Sequence, residues 1–177
     1  MKKRVVITGE GSISPLGLNS QSLWDNLVNG ISGIDYISNF DTENFSVKIA
    51  GEVKNFEPND FFDSKDIRKL DRFTMFGLIA AEQALKNAKF ESSECWVIVG
   101  TGVGVMHTLE DEHKKLIKKG QRGVSPFYVP KMIPNIAGGQ IAIKYNLLGL
   151  NFSMSTACSS ATDAIGMAYR LISSGYS

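Results

Sequence analysis

An α/β fold with a mostly parallel sheet is the class this sequence predicts, and three observations predict it. Short β-branched or apolar runs at residues 4–8, 96–99 and 152–157 read as buried strands. Segments with apolar residues at spacings of three and four lie between and after them. Strand and helix therefore alternate, which places strands side by side in parallel with helices packed on the sheet. The 177 residues form one domain, long enough to bury roughly 70% of the unfolded surface.

Each element follows from local chemistry. The strand at residues 4–8 ends at Gly9, and the loop GEGSISPLG follows it. Asn19 or Ser20 caps a helix whose Leu23, Trp24, Leu27 and Val28 share one face, with Gly30 past its end. Residues 31–65 lack a clear period and form an excursion with a hairpin around residues 47–53. Residues 66–89 carry the longest helical pattern: Ile67, Leu70, Phe73, Gly77, Ala80, Ala81, Ala84 and Leu85. The strand at 96–99 leads into GTGVG, and a polar helix over 106–119 is closed by Gly120. SPFYVPKMIP is a loop holding two prolines, and residues 135–145 form a short helix. After the strand at 152–157, Ala161, Ala164, Ile165, Ala168, Leu171 and Ile172 line one face of a helix that begins at Cys158 and stops at Gly175.

Composition narrows the function. Hydrophobic residues make up 43% and charged residues 21%, as in ordinary globular proteins. Nineteen basic and 18 acidic side chains leave a formal charge of +1, so nothing favours nucleic acid or an acidic membrane surface. No apolar run is long enough to span a bilayer, and the one after MKKR is too short for a secretion signal. Two cysteines make no disulfide framework, and no Cys/His spacing suggests zinc, so a reducing cytoplasm is the expected location.

The two glycine loops do not bring in a cofactor. GEGSISPLG has Ser14 where a dinucleotide fingerprint needs its third glycine, and Asp35 does not close a second parallel strand. A tight turn between strand and helix is the simpler account. GTGVG lacks the lysine of a phosphate loop; its glycines let the backbone approach a bound chain or a partner subunit. No cofactor and no metal is expected.

The segment STACSSATDAIG, residues 155–166, carries the chemistry. A strand, a turn of small residues and a helix resemble a nucleophile elbow, which lifts a reactive atom above a sheet. At a helix N-terminus, free N–H groups and the dipole favour thiolate over thiol. The same N–H groups can hold a developing oxyanion, worth about 2.7–4 kcal/mol per donor. Cys158 read this way is a nucleophile; read plainly it is a small buried hydrophobe, as Cys95 beside Trp96 is, and local context leaves both open. No base is in sight. His107 and His113 lie in the charged stretch LEDEHKK and read as a solvated face.

The motifs together go further. RVVITGEGSISPLG, GISGI, NFDTENFSVKIAGEV, RKLDRFTMFGLIAAEQAL, GTGVG, SPFYVPKMIPNIAGGQIAIKYNLLG and STACSSA run the length of the chain. The chain resembles the N-terminal part of β-ketoacyl-acyl carrier protein synthases, the elongating condensing enzymes of fatty acid synthesis, of the synthase II type. The resemblance implies the N-terminal half of a thiolase-like fold, a mixed sheet with helices on both faces, occupying residues 1–177 and stopping before the last strands. It implies that Cys158 accepts an acyl chain from acyl carrier protein. Malonyl-acyl carrier protein is then decarboxylated, and its carbanion attacks the acyl thioester to give a 3-oxoacyl chain. It assigns Val103 to the lining of the acyl pocket, and Tyr128 to an aromatic that reaches the partner's pocket in a homodimer. A phenylalanine is usual at Tyr128, and a proline commonly stands at Leu150. The two catalytic histidines, the lysine and the second oxyanion donor of such enzymes match no position within residues 1–177, so this stretch alone is not expected to condense. The alternative is a non-catalytic dimerisation remnant that keeps the interaction surface and lacks the chemistry.

Overall fold

The computed structural model describes residues 3–89 and 93–176. They divide into two compact units, and helix α3 contributes its first residues to one and its last to the other.

One unit holds residues 8–61 and 79–90. Its first helix, α1 (Ser20–Val28), starts where Asn19 accepts the Ser22 N–H at 2.8 Å while Ser22 Oγ accepts the Asn19 N–H at 3.3 Å. This reciprocal pair satisfies two of the helix's orphan donors. The stripe that located the helix is only partly covered, since Trp24, Leu27 and Val28 are 61, 56 and 60% exposed. Two-residue strands β1 (Asp35–Tyr36) and β2 (Ile49–Ala50) pair antiparallel, Asp35 opposite Ala50. The hairpin expected at 47–53 is therefore only its second strand, with a partner fourteen residues earlier. Lys54 bonds the Asp35 carboxylate, and Glu52 accepts the Ser38 N–H and hydroxyl at 2.9 and 2.7 Å, which ties the excursion together. Residues 14–17 form the expected tight turn, with mutual backbone bonds between Ser14 and Gly17.

The other unit holds residues 1–7, 62–78 and 91–177. The long helix predicted over 66–89 is broken in two. Helix α2 (Ser64–Ile67) stops at Arg68, and α3 (Arg72–Ala88) starts afresh. Asp71 is the cause, because its carboxylate accepts the Phe73 N–H at 2.9 Å and caps the second helix. The apolar period runs through this break undisturbed and so gives no sign of it. Strand β3 (Val97–Gly100) follows, then α4 (Met106–Lys119), which ends as predicted with Gly120 at φ +66°. SPFYVPKMIP is not all loop, since it contains a short helix, α5 (Tyr128–Met132), with Pro130 in its first turn, where no N–H is needed. Helix α6 (Ile136–Tyr145) ends at Asn146 in the left-handed region, and β4 (Asn151–Met154) and α7 (Ser160–Ser173) complete the unit.

Strands β3 and β4 are parallel, paired from Val97–Asn151 to Gly100–Met154. Successive residues of a strand face opposite sides of the sheet. Val99 lies against Gly138 of α6, and Gly100 lies against Ser160 of α7, so the two helices cover opposite faces. Val97, Ala137, Ile141, Leu147 and Ala164 are buried in this sandwich, with Leu70, Met75 and Leu78 from the start of the unit. Each large apolar side chain so buried contributes about 1.5–3 kcal/mol.

The predicted first strand does not form. Residues 4–8 belong to no ladder among the described residues, and Ile7 is 88% exposed. A β-branched run becomes a strand only where a neighbour supplies hydrogen bonds. Just before the segment, the Lys3 N–H donates to Ser173 O at 3.3 Å.

Candidate active site

Because β3 and β4 are parallel, their C-terminal ends lie side by side, and in open α/β sheets that edge is where ligands bind. Thr101 extends the pairing by donating its N–H to Met154 O at 3.0 Å. GTGVG then leaves β3, and Ser155–Ser159 leaves β4. The two loops touch: Ser155 Oγ donates to Gly102 O at 3.2 Å, and a side chain on Gly102 would begin 3.3 Å from Ala157 O. A side chain on Gly100 would run into the Ser160 carbonyl and the Ala161 backbone. The glycines of this loop therefore let β3 approach the turn and the head of α7, a neighbour within the chain that the sequence did not specify.

The strand predicted to reach Ala157 stops at Met154, and a 3-10 turn (Ala157–Ser159) precedes α7. Ala157 has φ +53°, in the left-handed region that costs a non-glycine residue about 1–2 kcal/mol. Cys158 follows it and is exposed, not a buried hydrophobe. Its backbone N–H has no hydrogen-bond partner among the described residues. Strand, left-handed turn, exposed thiol and helix in that order are the elbow that the sequence suggested.

Side chains on both sides hold the turn. Ser160, 3% exposed, accepts the Thr156 N–H at 2.9 Å and donates to Ala157 O at 2.7 Å. Asp163, one turn into α7, accepts the Thr156 hydroxyl and, at 3.1 Å, the Ser159 hydroxyl. Those two bonds, the Thr156 one foremost, hold the Asp163 carboxyl below its ordinary range. Sequence reasoning did not single out Ser160 or Asp163. The available signal was polar capping chemistry, Thr, Ser, Ser and Asp at spacings of three and four, just ahead of an apolar period.

The other predicted residues fall into two places. Val103, next to Gly102, is 70% exposed beside the Cys158 turn. Tyr128 opens α5 and is half-buried, its N–H bonded to Ser125 O at 3.0 Å. That segment is anchored by Glu112 of α4, which is 6% exposed and accepts the Ser125 N–H and the Lys115 ammonium, each at 2.6 Å. Lys115 foremost, and then Ser125, hold the Glu112 carboxyl below its ordinary range. Asp71 fixes the same helix nearer its start by accepting the Thr108 hydroxyl at 2.6 Å. His107 and His113 are exposed on α4, the solvated face expected of them. Among the described residues no cluster of His, Cys, Asp and Glu is arranged to hold a metal, and no helix is long and apolar enough to cross a membrane.

Fold and site define a class first: an α/β protein that presents a cysteine from a tight turn between a parallel strand and the helix packed behind it. The chain belongs to the β-ketoacyl synthase family, whose N-terminal domain matches residues 2–177. It is 44% identical to 3-oxoacyl-[acyl-carrier-protein] synthase 2 of Staphylococcus aureus (strain COL), over 98% of this chain and 43% of that protein. It is 41% identical to the enzyme of the same name from Synechocystis, over 99% and 43%. Among solved structures, the ishigamide ketosynthase/chain length factor matches with a TM-score of 0.90 at 25% identity, over 99% of this chain and 45% of that one. A β-ketoacyl synthase from Burkholderia phymatum matches with a TM-score of 0.81, over 99% and 44%. A third match, with a TM-score of 0.79, is a ketosynthase bound to the hexaketide, in complex with a type II polyketide acyl-carrier protein. The fold is thus thiolase-like, as the resemblance implied. The chain spans less than half the length of the curated relatives it matches.

Proposed function

We propose that this chain carries the acyl-accepting half of a 3-oxoacyl-acyl carrier protein synthase of fatty acid synthesis, with Cys158 as the nucleophile. The observation that carries the reading is the exposed Cys158 thiol, set directly after a left-handed residue at the end of β4 and the head of α7. The thiolate attacks the thioester carbonyl of an acyl-acyl carrier protein. The tetrahedral oxyanion is met by the unpartnered Cys158 N–H, the carrier's thiolate leaves, and a new thioester forms on Sγ. Decarboxylation of malonyl-acyl carrier protein then supplies the carbanion that attacks this thioester and releases Cys158. The resemblance assigns the residues for that second step to positions that match nothing in 1–177.

Val103 sits where it can meet the bound acyl chain, since its loop packs on the Cys158 turn. Tyr128 is assigned to the pocket of a partner subunit in a homodimer, and the cytoplasm is the location that fits two free thiols. The second reading, a non-catalytic dimerisation remnant, draws on the exposed Trp24, Leu27 and Val28 of α1.

Intact mass after incubation with a medium-chain acyl-acyl carrier protein tests the proposal. The folded chain gains one acyl mass and Cys158→Ala gains none. If the parent stays unmodified while the carrier remains loaded, the acyl-acceptor reading is wrong and the dimerisation reading stands.

A further inference from the structure

We infer that Ser160 and Asp163 are positioning residues that together brace the turn presenting Cys158. The proposal rests on Cys158 being the reactive thiol but not on its acyl chemistry. The problem they solve is visible in the backbone. Ala157 carries a side chain at φ +53°, so the turn opposes its own local preference and persists only if its surroundings over-determine it. Ser160 supplies one constraint with a single buried hydroxyl. It takes the N–H of Thr156 and gives its proton to the carbonyl of Ala157, and so fixes the peptide groups on both sides of the strained turn.

Asp163 supplies the second constraint from outside. Thr156 and Ser159 flank the Ala157–Cys158 pair, and both hydroxyls converge on one carboxylate oxygen. Ser159 Oγ also lies 2.8 Å from Thr156 O and 3.0 Å from Thr156 Oγ1, which closes the ring. The two braces leave Cys158 as the residue in 156–160 whose polar groups no other residue of the turn engages. The inner brace is buried, so solvent does not compete for it; the outer one is exposed and weaker.

The test reads the thiol itself. In a Cys95→Ala background, the rate of Cys158 alkylation by iodoacetamide is measured together with amide exchange at Thr156 and Ser159, whose N–H groups are bonded within the turn. Ser160→Ala raises that exchange about tenfold, the equilibrium equivalent of one lost hydrogen bond, and lowers the alkylation rate several-fold. Adding Ala157→Gly to Ser160→Ala restores the rate, because glycine holds φ +53° without a brace. Asp163→Ala gives the same change to a smaller degree, and Asp163→Asn, which keeps an acceptor oxygen, largely restores it. General destabilisation would not be rescued at these two points. Should Ser160→Ala not fold, the half-buried Asp163 pair decides alone. Equal alkylation and exchange in the parent, Ser160→Ala and Asp163→Ala would overturn the proposal, as would the absence of rescue by Ala157→Gly. Acylation is not measured, so failure here is distinct from failure of the acyl-acceptor reading.

Discussion

The two cysteines sit at opposite ends of the same pair of parallel strands, and the ends differ in almost every respect. Cys95 lies just before β3, at the end where the strands begin. It is half-buried, its thiol donates to the carbonyl of the adjoining Trp96 at 3.4 Å, and burial pushes that thiol up from its ordinary range. Cys158 lies just after β4, at the end where the strands finish. It is exposed and stands next to a residue in a strained conformation. A glycine permits close approach at each end. Gly149 lies against the backbone of Glu94 and Cys95 and against Trp96, and Gly100 lies against Ser160 and Ala161. At one end tight packing hides a thiol, and at the other it supports a turn that shows one. Burial decides which cysteine is structural, and the direction of the strands decides which end can carry chemistry.

The largest effects come from filling those approaches. Gly100→Ala forces the head of α7 away from β3, because the added methyl meets backbone and not a movable side chain. The expected loss is about 3 kcal/mol in urea unfolding, with Cys158 alkylation disturbed as well. Gly149→Ala strikes backbone at the other end and costs a similar amount. It leaves the alkylation of Cys158 unchanged in the protein that remains folded. If both variants altered Cys158 reactivity equally, the two ends would not be independent.

Alkylation of the parent comes next. Peptide mapping after brief iodoacetamide treatment shows Cys158 modified roughly tenfold or more faster than Cys95, since accessibility and thiolate content both disfavour the buried thiol. Comparable rates would remove the contrast.

A pH titration sharpens it further, because the Glu112 carboxylate and the Cys95 thiol respond with opposite sign. Glu112, which anchors the segment leading to Tyr128, has a folded-state pKa depressed by Lys115 and by the Ser125 N–H. Its contribution is therefore complete above the ordinary glutamate range of about 4.3 and is lost as pH falls below it. Cys95 has a raised folded-state pKa. Its contribution is complete below the ordinary thiol range of about 8.5 and is lost as pH rises through it. Thermal melts of Glu112→Gln show a flattened acid limb, and those of Cys95→Ala a flattened alkaline limb. An unchanged acid limb in Glu112→Gln would show that its anchor does not depend on charge.

The sequence disclosed what depends on neighbours along the chain and concealed what depends on neighbours across space. Helix α4 ended at Gly120 as expected, because a glycine past the last periodic residue is a local signal. The elbow at Cys158 was visible for the same reason: small residues, a strand before and an apolar period after. Residues 4–8 had every local mark of a strand and have no strand partner among the described residues. Asp71 broke a period that runs unbroken in the sequence, because capping overrides periodicity where a carboxylate can reach the N–H two residues on. The role of Gly100 required knowing that Ser160 would lie against it, a contact sixty residues away along the chain.

The smallest expected effect bears most directly on the difference between the two ends. If the turn before Cys158 is strained by Ala157, then Ala157→Gly relieves the strain without altering what the turn contacts. The relief of about 1–2 kcal/mol is offset by the roughly 0.5–1 kcal/mol that glycine adds to the entropy of the unfolded chain. The net expectation is a stabilisation of about 0.5 kcal/mol, measurable by urea unfolding. The same change at an ordinary turn or helix position is destabilising, so the sign alone is informative. A gain means that the thiol end holds strain that its braces must contain. A loss means that Ala157 occupies the left-handed region at no cost, and that the turn would keep its shape even with Ser160 and Asp163 removed.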